Sequence, residues 1–283
     1  MISLLETILP INKSDVEQLD VPAPSKNNDL AFVFDNFLRD RLAFNLIKSI
    51  FRFYPGSKIY IADQSVYNKN TMLLYGKLTA AGHSVNYCGF DCGISVARNT
   101  AIAQVKEPYI FVCDCDNLIE ERTNIETLKT ILKNNSEIGF VGMYEIFSGK
   151  INNYEHFLNR KDKLLKYETI SKDAKIRLNP FFLCDYTMNS GLAKKEIFES
   201  VKYEEQMKLC EHLDFFMQLK YNTSWKVACA TNVCVNNSCF ALENEDYKKL
   251  RGRNKLFWDF YITKWGLEQI NDYSLVRKIT IGK

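Results

Sequence analysis

The 283-residue sequence is short of several things, and each shortage excludes a class of protein. No window approaches the roughly 18 consecutive apolar residues that a membrane-crossing helix needs. No basic run is long enough to track a nucleic acid, and the formal net charge is only +3. There is no internal repeat and no low-complexity segment. The opening, MISLLETILPINKSD, lacks a basic stretch followed by a long apolar one, so no signal peptide is expected and the expected location is the cytoplasm. The nine cysteines include no Cys-x-x-Cys pair. Cys88, Cys92, Cys113 and Cys115 do not follow the spacing of zinc ligands, and the set reads as reduced thiols.

What is present is an ordinary soluble composition, 46% apolar and 25% charged. Residues 1–28 start apolar and turn polar, with Pro22 and Pro24, and are expected to form an irregular leader. Leu30 to Phe34 then reads as a buried strand ending at Asp35. In DRLAFNLIKSIFRFYP the apolar positions Leu42, Ala43, Leu46, Ile47, Ile50 and Phe51 recur at helical spacing, and Pro55–Gly56 ends the helix. Strands are expected at 58–62, 84–88 and 109–113, and helices over 72–81 and from Ile94 onward. Alternating strands and helices predict an α/β fold, a mostly parallel sheet flanked by helices. Beyond residue 125 the pattern predicts a helix over IETLKTILKNN and a strand over IGFVGMYEIF. A helix plus loop is expected in the charged stretch 150–178, then a strand, loop and helix start in PFFLCDYTMNSGLAKKEIF. EHLDFFMQLK reads as helical and WKVACATNVCVNN as a strand. The expected division is a leader, 1–28, a catalytic domain, 29–245, and a helical tail, 246–283.

In a parallel sheet, ligands gather at the carboxyl ends of the strands. Asp35, Asp63, Asp114 and Asp116 all fall there. The sharpest feature is YIFVCDCDN, an apolar strand finishing on two carboxylates one residue apart. Side chains at i and i+2 of a strand point the same way, roughly 7 Å apart. At a strand end they can converge on one cation, which offsets their repulsion. A hard divalent ion, Mn²⁺ or Mg²⁺, suits oxygen ligands and bridges phosphate groups. Arg98, in the helix before that strand, is of the residue type that binds phosphate or carboxylate two bonds at a time. Alternatives for these residues are turn-forming strand ends and a plain surface ion pair.

GISVARNTAIAQVKEPYIFVCDCDN resembles the Gly-x-x-x-x-Arg-Asn helix and Asp-x-Asp strand of GT-A fold glycosyltransferases. FLRDRLAFNLIKSIFRFYPGSKIYIADQS, CDYTMNSGLAKKE and CEHLDFFMQLK are similar to segments of the ganglioside-type β-1,4-N-acetylgalactosaminyltransferases. The likeness covers roughly residues 30–240. It implies a GT-A, Rossmann-like fold and an inverting, metal-dependent transfer of a hexose or N-acetylhexosamine from a UDP-sugar to a glycan or glycolipid acceptor; the expected cytoplasmic location without a membrane span suggests bacterial surface polysaccharide or lipooligosaccharide synthesis. It places Asp35 and Asp63 on the uridine, Arg98 and Asn99 near the diphosphate, and Asp114 and Asp116 on the metal. Asp185 and Asn189 would border the sugar and acceptor. Asn237 stands where related enzymes often carry a His, and offers a weaker carbonyl ligand. Asp214 is the favoured general base, with Glu211 and His212 open beside it, since 211 and 214 share a helix face.

Competing readings are a nucleotidyltransferase, disfavoured because DNFLRDRL carries no glycine-rich loop, and a degenerate binding module. The tail segment 253–266 sets Phe257, Trp258, Tyr261 and Trp265 beside Lys255 and Lys264. Such a helix either lies on an anionic membrane or packs on the main domain.

Overall fold

In the computed structural model, the described residues are 10–152, 155–170, 180–238, 245–271 and 279–280. The first helix, α1 (Lys13–Gln18), falls within the expected irregular leader. Asn12 and Asp15 cap it reciprocally, and Ile11 and Val16 are buried. Residues 1–9 of that leader lie outside the described residues.

The predicted alternation follows: β1 (Leu30–Asn36), α2 (Asp40–Phe53), β2 (Lys58–Asp63), α3 (Lys69–Ala80), β3 (Ser84–Tyr87), α4 (Ile94–Ile102) and β4 (Tyr109–Val112). After β4 come β5 (Asn117–Leu118), α5 (Ile125–Asn134), β6 (Ile138–Phe147) and β7 (Lys150–Asn152). Then follow β8 (His156–Lys161), β9 (Leu164–Thr169), β10 (Phe181–Cys184) and β11 (Gly191–Lys194). The chain continues through α6 (Ile197–Ser200), α7 (Glu211–Asn222), β12 (Lys226–Asn237), α8 (Glu245–Arg251), α9 (Asn254–Lys264), β13 (Gln269–Asn271) and β14 (Ile279–Thr280).

The main sheet runs β10-β12-β6-β11-β4-β1-β2-β3, with β5 beside β12 and β7 beside β6. Strands β3, β2, β1 and β4 are parallel neighbours, while β11 is antiparallel to both β4 and β6. β1 is buried throughout because both sheet faces are covered. Ala31 and Val33 pack with Ala97 and Ala101 of α4, whose small side chains let helix and sheet approach. Leu30, Phe32 and Phe34 pack on the opposite face with Leu46, Ile47 and Ile50 of α2.

Two expectations are corrected. The charged stretch from 150 is not helical where it is described: it forms β7, β8 and β9. Leu158, Leu165 and Tyr167 point inward while Phe157, Lys166 and Glu168 point out, so a period of two was hidden among the charges. Residues 153–154 and 171–179 of that stretch lie outside the described residues. The tail, expected as helical, also carries the strands β13 and β14. Tyr261, Ile262, Trp265, Leu267 and Ile270 share a core with the main sheet, and β13 pairs in parallel with β9. Phe257, Tyr261 and Trp265 are buried and Trp258 is half-buried against the same core, so these aromatics pack on the protein. Among the described residues no helix is long and apolar enough to cross a membrane.

Candidate active site

The carboxyl ends of β1 and β4 open onto one cavity of about 480 Å³. Its floor is built around Arg98, which is 1% exposed. The helix that carries it starts at Gly93, whose φ of 99° suits glycine, and a Cβ there would lie 2.8 Å from Lys208 Cα. Arg98 Nη1 donates to Glu211 Oε1 at 2.5 Å, Nη2 donates to Asp114 Oδ1, and Nε lies 3.6 Å from Asp35 Oδ1. Three carboxylates therefore share one buried cation. Burial pushes the Asp35 carboxyl up to about 6; Arg98 opposes the shift, while Asp114 and Glu211 add to it. Gln64 Nε2 donates to Asp35 at 3.3 Å.

The second aspartate of the pair, Asp116, accepts from Arg39 Nη1 at 2.7 Å. Its main-chain oxygen accepts from Ser238 N at 2.7 Å, and β5 pairs with β12 just beyond. That pairing draws Asn237 to the cavity, where its Nδ2 donates to Glu145 Oε1 at 2.7 Å. Burial raises the Glu145 carboxyl; Asn237 counters this, and the charges of Asp116 and Asp114 add to it. This end of the cavity is thus rich in carboxylate and amide oxygen, the donor set that a hard divalent cation takes. Among the described residues no three Asp, Glu, His or Cys side chains form a ready metal cluster. The set fits an ion that takes one or two carboxylates and completes its shell with phosphate and water.

The opposite wall is the first turn of α7. Glu211 and His212 line the cavity, and the His212 ring lies over Tyr186 at 5.7 Å and 28°. Asp214 does not line it. It is fully buried on the α9 side, accepting from Trp265 Nε1 at 2.7 Å, Lys264 Nζ at 2.9 Å and Gln218 Nε2 at 2.7 Å. Asp214, expected as the general base, thus lies away from the cavity and ties α9 to α7. Glu211 and Asp214 are close in helical phase, but the docking of Trp265 divides them between cavity and core.

Three further expected site residues lie away from the cavity. Asp63 is buried and spends its carboxylate on Asn36 at 2.7 Å, Ser65 N at 2.6 Å and the Tyr75 hydroxyl. Asn99 bonds the main chain of Tyr203 in both directions, at 2.9 and 3.1 Å, and so fastens the 203–205 loop. Asp185 accepts from Leu158 N at 2.9 Å and Lys220 Nζ at 2.5 Å. None of the three lines the cavity. Asn189 does, with its Nδ2 3.4 Å from Asp114.

Several lining residues escaped the sequence reading. Asp91 is clasped by Arg253, at 2.8 and 2.9 Å, and by Lys208 at 3.2 Å, and these cations hold its carboxyl below the usual range despite partial burial. Tyr247 of α8 lies under the Arg39 guanidinium at 4.1 Å and beside Phe37. Arg39 stands inside the quoted FLRD segment and was the one with a signal. Lys208, Tyr247 and Arg253 sit at no strand end.

A parallel-stranded half-sheet with an Asp-x-Asp terminus, joined through one antiparallel strand to a second half, defines a GT-A nucleotide-sugar transferase fold. The chain belongs to glycosyl transferase family 2, whose profile matches residues 45–198, more than half its length. It is 27% identical over 195 residues to beta-1,4 N-acetylgalactosaminyltransferase 1 of Mus musculus, covering 64% of this chain and 34% of that protein. Among solved structures it resembles S. aureus TarS 1–349, at a TM-score of 0.53 and 10% identity, covering 75% of this chain and 60% of that one. A longer TarS structure gives the same TM-score with 38% of its chain covered. The chain thus spans about a third of the curated relative's length, and the likeness to TarS is one of fold.

Proposed function

We propose that the chain transfers a sugar, a hexose or N-acetylhexosamine, from UDP to a hydroxyl of a glycan acceptor with inversion at the transferred carbon. The observation that carries this reading is the buried Arg98, shared by Asp35, Asp114 and Glu211 at the carboxyl end of the parallel strands. One arginine fixes three carboxylates around the cleft before the donor arrives and leaves the group net negative, a seat for the divalent cation that a diphosphate brings. Asp114 and Asp116, with Asn237 beside them, are the residues that would hold a divalent cation. When bound, that ion supplies charge neutralisation for the leaving diphosphate.

The acceptor hydroxyl must lose its proton on the side away from the diphosphate. Glu211 already neutralises Arg98, so we assign that proton to His212, which faces the same cavity from the first turn of α7. The face of Tyr186 under its ring holds the imidazole in plane. Similarity to an N-acetylgalactosaminyltransferase favours that sugar, and the acceptor screen begins with lipooligosaccharide and capsular oligosaccharides.

Calorimetric titration of UDP with and without Mn²⁺ tests the donor assignment. Binding that requires the ion and is lost in Asp114→Asn or Asp116→Asn is the expected result. Binding indifferent to the ion overturns the metal role and keeps the nucleotide. Failure of UDP in both conditions, with CMP or GDP binding instead, overturns the donor.

A further inference from the structure

The loop between β3 and α4, CGFDC, brings two thiols together that the transfer reaction does not use. Cys88 Sγ and Cys92 Sγ are 3.1 Å apart, and both residues are half-buried. The backbone is already bent to allow this: Gly89 and Asp91 between them have φ of 91° and 52°. We propose that Cys88 and Cys92 form a thiol–disulfide redox site that reacts with low-molecular-weight disulfides of the glutathione type and loosens the C-terminal wall of the cavity when oxidised.

The chemistry balances with one equivalent of such a disulfide. The Cys92 thiolate attacks one sulfur of the reagent and expels the other as a thiolate, leaving a mixed disulfide on Cys92. Cys88 then attacks the Cys92 sulfur and expels the second half of the reagent. Two protein thiols are oxidised, one disulfide is reduced to two thiols, and the two protein protons end on those thiols. Cys92 suits the first step. A hydrogen bond from Cys88 chiefly, and the charge of Lys208 besides, hold its thiol below the ordinary value against the effect of burial. Cys88 is held well above it by the same shared proton.

The consequence follows from what each cysteine is tied to. A disulfide needs sulfurs about 2.05 Å apart, so closing the pair moves one of them by about 1 Å. Cys88 is fixed by a main-chain bond from its N–H to Asp63 O at 3.0 Å. The Cys92 end is tied on both sides: Asp91 N donates to Gln64 O at 3.2 Å, Gly93 N to the Gln64 side chain at 2.9 Å and Ile94 N to Lys208 O at 3.2 Å, while Cys92 N reaches Gly89 O at 3.3 Å. Closing the pair therefore strains the 88–92 turn and the bonds that hold Asp91 within it. Asp91 is the carboxylate that Arg253 and Lys208 clasp, so strain in this turn loosens the tie between the loop and the 245–254 segment that walls the cavity.

The test uses the full chain equilibrated with oxidised glutathione in tenfold excess over reduced. Peptide mass analysis reads the bond, and hydrogen exchange reads residues 245–254. The expected result is a Cys88–Cys92 link, exchange across 245–254 several-fold faster, and reversal of both by dithiothreitol. Cys92→Ser, folded and unable to form the link, is expected to exchange at the reduced rate in both buffers. Absence of the link in that buffer overturns the site. A link that leaves exchange over 245–254 unchanged overturns the coupling to the wall. Faster exchange in oxidised Cys92→Ser assigns the effect to another thiol and overturns the proposal.

Discussion

Arg98→Ala is expected to cost about 3–5 kcal/mol of stability at neutral pH, the usual penalty for removing one partner of a buried ion pair. The side chain is 1% exposed and stands among Asp35, Asp114 and Glu211 at contacts out to 3.6 Å. At an effective dielectric of about 20 a unit pair at 4 Å attracts by about 4 kcal/mol, and most of that is offset by the cost of burial. Removal leaves the acids facing one another with the offset gone. The loss should depend on pH in a set direction. The Asp35 carboxyl titrates at about 6 in the folded protein, above its unfolded value of about 3.9. Its ionisation therefore costs stability as pH rises through that window. Taking away Arg98 removes the influence that lowers this value, so the variant carries a larger cost above it. The deficit relative to the parent is greatest at pH 7 to 8 and narrows as pH falls toward 5. Urea denaturation at four pH values measures it, and Arg98→Lys, which keeps the charge but cannot fork to several acids, should lose less. A deficit under about 1 kcal/mol at pH 7, or one that widens on acidification, would refute the reasoning.

Asp214→Asn should keep UDP affinity and turnover near the parent while losing about 1–3 kcal/mol of stability, because Lys264 loses a buried charge partner; a fall in turnover of about 100-fold without a stability loss would return it to the role of base. His212→Asn should lower turnover by roughly 10²–10⁴-fold with UDP binding unchanged in calorimetry, the usual worth of a positioned base. Gly93→Ala should lose about 1–3 kcal/mol in thermal or urea melts, since it meets both a left-handed φ and the Lys208 backbone; an unchanged melt would mean the loop relaxes freely.

The first half of the sheet was legible because β1 and β4 are apolar on both faces, and a run such as LAFVF admits few other readings. Asp35, Asp114 and Asp116 were legible for a related reason, as charged stops on buried strands. Asp63 carries the same signal, yet its carboxylate is taken by Tyr75 from α3 and by Asn36, partners that no linear spacing announces. Asp185 and Asp214 are lost to Lys220, Lys264 and Trp265 in the same way. The strands from 156 to 169 went unseen because their outward residues are charged and only Leu158, Leu165 and Tyr167 mark the inner face. GLAK, the strand β11, is only four residues long and borders a helix start, so local pattern gave it no length to stand on.

That short strand also governs the order in which the molecule can be completed. The parallel strands, β1 to β4, are all present once residue 112 has been synthesised, and β6 follows by residue 147. They are not neighbours: β11 lies between β4 and β6 and bonds both. Until residues 191–194 emerge, the growing chain holds two sheet fragments, each with an unpaired edge, and unpaired edges are where chains associate with other chains. The seam that β11 closes is also the one beside the Asp-x-Asp terminus, since Gly191 pairs with Val112, two residues before Asp114. A nascent or truncated chain that ends before this strand would carry the aspartate pair on an open edge, outside the cleft the finished protein builds around it.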